Sequence, residues 1–245
     1  MNEKFTFGGV SSDTYKVYIS GESVYNAPAR DVNMVTVPGR NGTISIDNGR
    51  FENIEVTYPA FCWGSDQAAF ADRVSDFRNA LMALRGYQRL TDDYHPGEYR
   101  LAIFKEAFEV TPTIYNTAGE FEVVFDCKPQ RWLTSGETAV AVSSGSTITN
   151  PTSFASEPLI KVTGDGTLYI GEYSLVIDAG ASNPVYIDCE LMEAYEIDSQ
   201  DYVVNRNSLV TYQAGTFPRI VPGANLVTYS GNITAVEITP RWWKI

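Results

Sequence analysis

Short runs rich in β-branched and aromatic residues dominate the first half of the chain and predict strands. They are Tyr15 to Ile19, Val32 to Val37, Asn53 to Phe61, Tyr99 to Val110 and Phe121 to Lys128. In the third run, the apolar positions from Ile54 to Ala60 alternate with more polar neighbours. This is the period of a strand with one buried face. So many strands exclude a helical bundle, and we expect one face of the third run to lie on a core.

One segment breaks the β pattern, because its apolar residues recur every three or four positions and so form one face of a helix. These residues are Phe70, Val74, Phe77, Leu81 and Leu84. Ser65 or Asp66 supplies the N-cap, and Arg85 suits the negative end of the helix dipole. Gly86 can adopt the left-handed conformation that ends a helix. The pattern predicts a helix between Ser65 and Arg85.

After residue 130 the chain shows almost no helical periodicity. A stretch rich in Ser, Thr and Gly, residues 134–154, indicates a domain boundary near residue 130. Short strands separated by turn residues follow, and this is the pattern of an antiparallel sandwich. Gly164-Asp165-Gly166 lies between two of them and predicts a tight hairpin turn. We therefore expect two domains, residues 1–130 and 131–245.

The charge balance excludes one class of function. The 245 residues include 18 Lys and Arg and 30 Asp and Glu, so the formal net charge is −12. Such a chain does not grip phosphate backbones or anionic lipid broadly, which argues against specific nucleic-acid binding. The N-terminus lacks the basic start and apolar core of a signal peptide, and no stretch approaches the ~20 apolar residues of a membrane span. We expect a protein that is made in the cytosol and binds no membrane.

Histidine and cysteine are too scarce for most metal and nucleophile chemistry. The single histidine, His95, excludes multi-histidine zinc and iron sites. It follows Asp92 and Asp93, so an acid–base site can be built there, but a polar turn is the simpler interpretation. The three cysteines are far apart, without a CxxC pair, and are predicted to be small buried hydrophobes. They are Cys62, Cys127 and Cys189.

Five carboxylates between residues 190 and 201 form an acidic cluster. They are Glu190, Glu193, Glu196, Asp198 and Asp201. Their spacing matches no calcium-binding loop, so a solvated surface run is favoured over a calcium site. No Ser or Cys lies in a recognisable nucleophile motif. We therefore expect no catalytic residue, no metal and no cofactor.

Two segments are candidate interaction sites. The loop Pro38-Gly39-Arg40-Asn41-Gly42 is sharply bent and presents one guanidinium, which suits a carboxylate on a neighbouring surface. The alternative is an ordinary hairpin loop with a solvated arginine. Trp242 and Trp243 place two indoles near the chain end and predict a strand that closes the second core. The alternative is a platform on which sugar rings stack.

Several segments, taken together and in order, resemble the distal tail protein family of long-tailed phages that infect Gram-positive bacteria, a family also found in prophages. The segments are PGRNG at 38–42, the predicted helix near 66–85, FEVVFDCKPQRW at 121–132, SEPLIKVTGDGTLYIG at 156–171, YIDCELMEAY at 186–195, FPRIVPGAN at 217–225 and ITPRWWKI at 238–245. The resemblance covers essentially the full chain.

The resemblance implies a mainly β protein with two domains. The N-terminal domain would be β-rich, like a split barrel or sandwich, with one α-helix. The C-terminal domain would be a galectin-like antiparallel β-sandwich. Six copies would form a hexameric ring through their N-terminal domains, and two rings can pair back to back. Pro38, Gly39, Arg40 and Gly42 match the family pattern and are expected at the ring interface.

The resemblance also implies a location and partners. The ring would lie at the distal tip of the virion tail and join the tail tube protein to the tip protein or tail-associated lysin. It would also support receptor-binding or baseplate proteins. Synthesis would take place in the cytoplasm of the host bacterium. This function is structural, so no enzymatic activity is expected.

Two other function classes stay open at the level of sequence. A carbohydrate-binding module for the host cell wall would use aromatic residues such as Trp242 and Trp243. A glycan-active enzyme would use a pair of carboxylates. Larger members of the family carry inserted carbohydrate-binding modules, and 245 residues leave no room for one. We therefore expect the second domain to be a docking platform, because a lectin-like fold alone does not establish sugar binding.

Overall fold

The computed structural model describes residues 3–21, 24–106, 108–113, 115–178, 180, 184–213 and 215–245. The chain divides into two compact units, Met1–Arg131 with Ile245, and Trp132–Lys244. The fold class is confirmed, because the chain is mainly β with one α-helix in the described ranges. Each unit has a core of its own.

The first unit is built on one large antiparallel sheet. Its strands are β1 (Phe5–Phe7), β2 (Val10–Ser11), β3 (Val17–Ile19), β4 (Arg30–Thr36), β5 (Thr43–Phe51), β6 (Ile54–Trp63), β7 (Gln88–Asp92), β8 (Glu98–Ile103), β9 (Thr111–Pro112) and β10 (Ala118–Cys127), and its helix is α1 (Gln67–Ala83). The order in the large sheet is β2-β1-β7-β8-β10-β6-β3, with β9 on β10. Strands β4 and β5 form a separate two-stranded sheet.

The predicted alternation in the third run is confirmed. Val56, Tyr58 and Ala60 of β6 are buried, whereas their neighbours are exposed or half-buried. Strand β6 pairs with β10 over ten residues, from Ala118 opposite Trp63 to Cys127 opposite Ile54. Because residues directly opposite share a face, the two strands bury one continuous apolar surface.

The predicted helix is also confirmed, with slightly shorter bounds. The Asp66 carboxylate accepts a hydrogen bond of 2.9 Å from the Ala69 N–H, which satisfies one free donor of the first turn. Helix α1 ends at Ala83, because Leu84 takes an extended conformation, and Gly86 has φ +67°. The predicted stripe faces the core, where four of its residues are buried. They are Phe70, Val74, Phe77 and Leu81.

Two predicted strands have different bounds in the structure. Ser12–Tyr15 is a 3₁₀ helix, so the strand predicted from Tyr15 begins at Val17. Strand β8 ends at Ile103 rather than at Val110. Beyond it, Phe104 and Phe108 pack on Phe125 and Phe121, with ring centroids 5.6 and 5.0 Å apart. Aromatic packing therefore dictates the path of this segment.

The second unit contains two antiparallel sheets over one core. Its strands, with β11 beginning at the boundary, are β11 (Arg131–Leu133), β12 (Val140–Val142), β13 (Ser146–Asn150), β14 (Leu159–Thr163), β15 (Gly166–Ile170), β16 (Tyr173–Ile177), β17 (Val185–Asp188), β18 (Glu193–Ile197), β19 (Val203–Asn205), β20 (Val210–Tyr212), β21 (Gly223–Gly231), β22 (Ala235–Thr239) and β23 (Trp243–Lys244). One sheet has the order β12-β22-β14-β17-β18-β19 and the other β13-β21-β15-β16-β20. Residues from both sheets, such as Ile160 and Leu168, fill the core.

The prediction of a hairpin at Gly164-Asp165-Gly166 is wrong. Strand β14 pairs with β17 and β22, whereas β15 pairs with β16 and β21, so the chain changes sheets here. Both positions require glycine, because the backbone of residues 230–232 lies too close for a side chain. A Cβ on Gly164 would lie 2.2 Å from the Asn232 carbonyl oxygen, and a Cβ on Gly166 would lie 2.1 Å from the Ser230 carbonyl oxygen.

Candidate assembly site

A two-stranded hairpin of the first unit, residues 30–51, is exposed along almost its whole length, and we name it the arm. Strands β4 and β5 pair from Arg30 opposite Phe51 to Thr36 opposite Thr43. Among the described strands, they pair with no third one. Except for Asp31 and Phe51, every residue of the two strands is exposed. An isolated two-stranded hairpin is marginally stable in water, so an arm of this kind gains stability from a partner.

The charged residues of the arm lie at its base, residues 30–31 and 47–51, apart from one at its tip. The Arg30 guanidinium lies 2.9 Å from the Asp47 carboxylate and also covers the Phe51 ring, at 4.8 Å from its centroid. Across the hairpin, Arg50 Nε lies 2.6 Å from an Asp31 oxygen. Hydrogen bonds from Asn48 and Arg50 hold the pKa of Asp31 below its usual range. Arg30, Asp47 and Arg50 are exposed to solvent and Asp31 is half-buried, so each pair is weak, but together they hold the register of the base.

The distal part of the arm is apolar. Five side chains remain substantially exposed: Val32 38%, Met34 60%, Val35 42%, Ile44 39% and Ile46 51%. Val35 lies directly opposite Ile44, so both share a face, and Ile46 follows two residues along on that face. Exposed apolar side chains on a hairpin with open edges make the arm a candidate surface for contact with another chain.

The arm's tip is the loop that the sequence singled out. Pro38, Gly39, Arg40 and Gly42 are all exposed. The Arg40 N–H donates to the Val37 carbonyl oxygen at 3.2 Å, which closes the turn. Gly39 and Gly42 have φ +79° and +80°, a backbone conformation that glycine adopts without strain. Between Val32 and Ile46, Arg40 is the one charged residue, and no described residue forms an ion pair with it.

Sequence reasoning identified the arm's tip and β4 but missed β5. Strand β5 has the sequence TISIDNGRF and contains Asp, Asn and Gly, which are depleted in strands. A signal was nevertheless present, because Ile44 and Ile46 alternate with polar residues. The neighbouring Pro38–Gly42 turn then required a returning strand.

The two C-terminal tryptophans lie in the second unit and serve its packing. Trp242 is 6% exposed and belongs to the second core. The Trp243 ring stacks on Phe154, with centroids 4.4 Å apart and planes at 17°. Its indole N–H donates to the Ala155 carbonyl oxygen at 3.0 Å. One indole is thus enclosed and one face of the other is covered, which leaves little aromatic surface for a sugar ring.

The buried carboxylate of Asp188 lies beside this closing segment. The two terminal nitrogens of the Arg241 guanidinium each donate to one Asp188 carboxylate oxygen at 2.7 Å. Burial opposes ionisation of Asp188, but the bonds from Arg241 and from the Leu191 N–H outweigh it and hold the pKa of the carboxyl below its usual range. The pair is therefore a structural clamp in the second unit.

His95 lies in a hydrogen-bonded turn. Its Nδ1 is 2.8 Å from an Asp92 oxygen, which also accepts from the backbone N–H groups of Tyr94 and His95. The other Asp92 oxygen accepts from the Tyr58 hydroxyl at 2.7 Å. Burial raises the pKa of Tyr58 well above its usual range. Both carboxylate oxygens of Asp92 are thus committed to protein donors, which supports the interpretation as a polar turn.

The acidic cluster of residues 190–201 is dispersed in the structure. Glu196 is buried against Arg206 at 2.7 Å, and Glu190 lies 3.4 Å from Arg241. Asp198 accepts from the backbone N–H groups of Gln200 and Tyr202 and so closes a turn. In the ranges that the structure describes, no three Asp, Glu, His or Cys side chains come together as a potential metal site.

All three cysteines are free and buried, as predicted. Burial raises the pKa of the Cys127 thiol to about 12, and it also raises the pKa of the Cys189 thiol well above its usual range. These thiols are therefore protonated and poor nucleophiles at neutral pH.

Within the described part of the chain, no helix combines the length and hydropathy needed to cross a membrane.

Comparison with known proteins identifies the fold. No protein-family model matches the sequence, and no curated protein matches it at a significant level. The SPP1 Dit protein, described as a paradigm of the hub adsorption apparatus in phages that infect Gram-positive bacteria, has a similar structure with a TM-score of 0.75. The match covers 100% of both chains at 10% identity. A chain of the phage P2 baseplate in its activated conformation with calcium matches with a TM-score of 0.51, over 97% of both chains at 10% identity.

These matches confirm, at the level of the fold, the resemblance to distal tail proteins. The similarity extends over both units in one alignment, so it does not rest on a common sandwich alone. At 10% identity it carries the architecture and leaves the activity to be argued from the surface of this chain.

Proposed function

We propose that this protein is a structural hub at the distal tip of a phage tail. The observation that carries the proposal is the full-length match to a hub protein of the phage adsorption apparatus. The arm supports it, because a hub must bind copies of itself and the arm offers an exposed apolar surface for that purpose. A tail hub acts through its contacts, so no catalytic group is required.

The first unit would form the ring. Six copies would each place the arm, with Pro38, Gly39, Arg40 and Gly42 at its tip, on the adjacent first unit. Six chains of formal charge −12 carry −72, so close contacts need an element that is not acidic. The arm meets this need, because residues 30–51 contain three Arg and two Asp and carry a formal charge of +1.

The second unit would be the docking platform. It would face the proteins that the hub joins: the tail tube, the tip protein or tail-associated lysin, and receptor-binding or baseplate components. Host attachment would then depend on these partners. A wall-binding role for the tryptophan pair is less well supported, since Trp242 is enclosed in the core.

The test is the oligomeric state of the purified full-length chain. Analytical ultracentrifugation over a concentration series should give a species of six chains, and negative-stain electron microscopy should show six-fold rings. Arg40→Glu should weaken the ring, because a like charge would meet an acidic surface. Arg85→Glu, an exposed reversal after α1, is the matched control and should leave the ring intact. A wild-type chain that stays monomeric at every concentration would overturn the proposal.

A further inference from the structure

A second unusual surface of the first unit lies on the outer face of the large sheet. Tyr18, Phe61 and Glu120 form one row across β3, β6 and β10, because Tyr18 lies opposite Phe61 and Phe61 opposite Glu120. Trp63 and Glu122 flank this row on the same face. We name these five residues the aromatic–acidic face.

The aromatic part of this face is a compact cluster. The Tyr18 ring stacks on Trp63 at 5.2 Å, and Phe61 stacks on Trp63 at 5.8 Å with planes at 16°. Phe61 is 39% exposed although most phenylalanines of the unit are buried. A shallow cleft of about 550 Å³ opens beside it, lined by Ser20, Pro59, Ala60, Phe61, Thr111, Glu120, Phe121 and Glu122. Aromatic rings are thus stacked at a surface where solvent reaches them.

The acidic part of the face is unneutralised. Glu120 and Glu122 are exposed, lie two residues apart on β10 and point outward beside the rings. In the described ranges, no Lys or Arg forms an ion pair with either of them. A planar cation suits such a surface, because a guanidinium can stack on an aromatic ring and donate to a carboxylate at the same time.

The arm carries the matching chemistry. Its tip presents one guanidinium, Arg40, on a turn with no competing carboxylate. The apolar side chains behind the tip match the exposed rings of the face. Strand β4 alone extends over about 20 Å at ~3.3 Å per residue, and all of its residues except Asp31 are exposed.

We propose that the aromatic–acidic face is the receptor for the arm tip of a second copy of this chain, with Arg40 held over Phe61 between Glu120 and Glu122. This inference rests on the proposed function, since it assumes that the arm mediates self-association, and it adds the surface that the arm occupies. It assigns Phe61, Glu120 and Glu122 to recognition, although the two glutamates are distant from the arm in sequence.

Exchange of the two charges tests the contact. Arg40→Glu and Glu120→Arg should each raise the dissociation constant of self-association at least about tenfold. The double variant Arg40→Glu/Glu120→Arg should return to within about threefold of the wild type, because opposite charges meet again. Arg40→Glu/Asp76→Arg is the matched control, since Asp76 is exposed on α1, and it should not be restored. Thermal unfolding of each variant verifies that the fold is intact.

Cross-linking supplies a second readout. The native thiols are buried, so Arg40→Cys and Glu122→Cys introduce the accessible ones. A short bismaleimide should join the two variants when they are mixed, and Arg40→Cys mixed with Asp76→Cys should give much less product.

The outcomes separate this inference from the proposed function. If Arg40→Glu weakens association but Glu120→Arg does not, or the double variant is not restored, the receptor is elsewhere and the arm's role stands. If the wild type does not associate at all, the proposed function fails and this inference fails with it.

Discussion

The exposed isoleucines of the arm give the sharpest test of the difference between folding and assembly. Ile44 and Ile46 are 39% and 51% exposed and share one face of the hairpin. Complete burial of such a side chain contributes about 1.5–3 kcal/mol, so a partner that covers the remainder would add roughly 0.6–1.2 and 0.8–1.5 kcal/mol. Replacement of both by threonine, which keeps one methyl group, should therefore weaken each contact between copies by at most about 10- to 100-fold.

The same replacement should leave the isolated chain almost unchanged. Threonine is β-branched and keeps the strand propensity of isoleucine. Surface substitutions of this kind usually alter the free energy of unfolding by about 0.5 kcal/mol or less. The assay pairs sedimentation velocity over a dilution series, which gives the dissociation constant, with urea unfolding of the monomer, which gives stability.

A matched control comes from the second unit. Leu226 is 53% exposed there, and Leu226→Thr should change neither quantity if assembly uses the arm. The reasoning would be refuted if Ile44→Thr/Ile46→Thr associated as tightly as the wild type. It would also be refuted if the variant lost stability as a monomer, since the two side chains would then be part of a core.

Two further predictions concern the buried groups. Asp188→Asn should lower the free energy of unfolding at pH 7 by roughly 1–3 kcal/mol, because Arg241 loses its partner. Folding lowers the pKa of Asp188, so this stabilisation is present above the unfolded pKa of about 3.9 and is lost as the pH falls through the lower folded pKa. Urea unfolding should therefore show a smaller difference in unfolding free energy between the wild type and Asp188→Asn at pH 3 than at pH 7. Cys127 and Cys189 are buried and should resist maleimide in the folded protein but react with it in urea, which mass spectrometry would measure. Rapid labelling of either thiol in the native chain would contradict their burial.

Local patterns predicted the elements whose conformation is decided locally. Helix α1 was predictable because the Asp66 cap and the apolar stripe agree, and both are properties of one segment. Strand β6 was predictable because one face meets a core, which imposes a period of two on its side chains. Elements of this kind need no knowledge of their neighbours.

The features that were missed depend on distant parts of the chain. Gly164 and Gly166 look like hairpin glycines, yet their role is set by the Asn232 and Ser230 carbonyls some 65 residues away. Turn chemistry alone does not distinguish a hairpin from a crossing between sheets. The same holds for the aromatic–acidic face, because the register of β3, β6 and β10 is what brings Tyr18, Phe61 and Glu120 into one row.

The arm itself was half predictable, for a related reason. Its tip has a local signature in the glycines and proline of residues 38–42. The exposure of the arm has no such signature in the sequence, because alternating apolar residues normally indicate a strand that packs on its own chain. Only the sheet order shows that Ile44 and Ile46 meet no core in this chain.

The distribution of charge explains how a strongly acidic chain can associate with itself. Outside the arm the formal charge is −13, and within residues 30–51 it is +1. Two bodies of −13 repel, but repulsion between charges more than ~10 Å apart is largely screened at moderate salt. A guanidinium in direct contact with a carboxylate and a ring is screened much less. In the proposed assembly, contacts through the arm would keep the acidic bodies apart while Arg40 and the apolar side chains meet the neighbour. A flat contact between two acidic bodies would bring like charges together and lose this advantage.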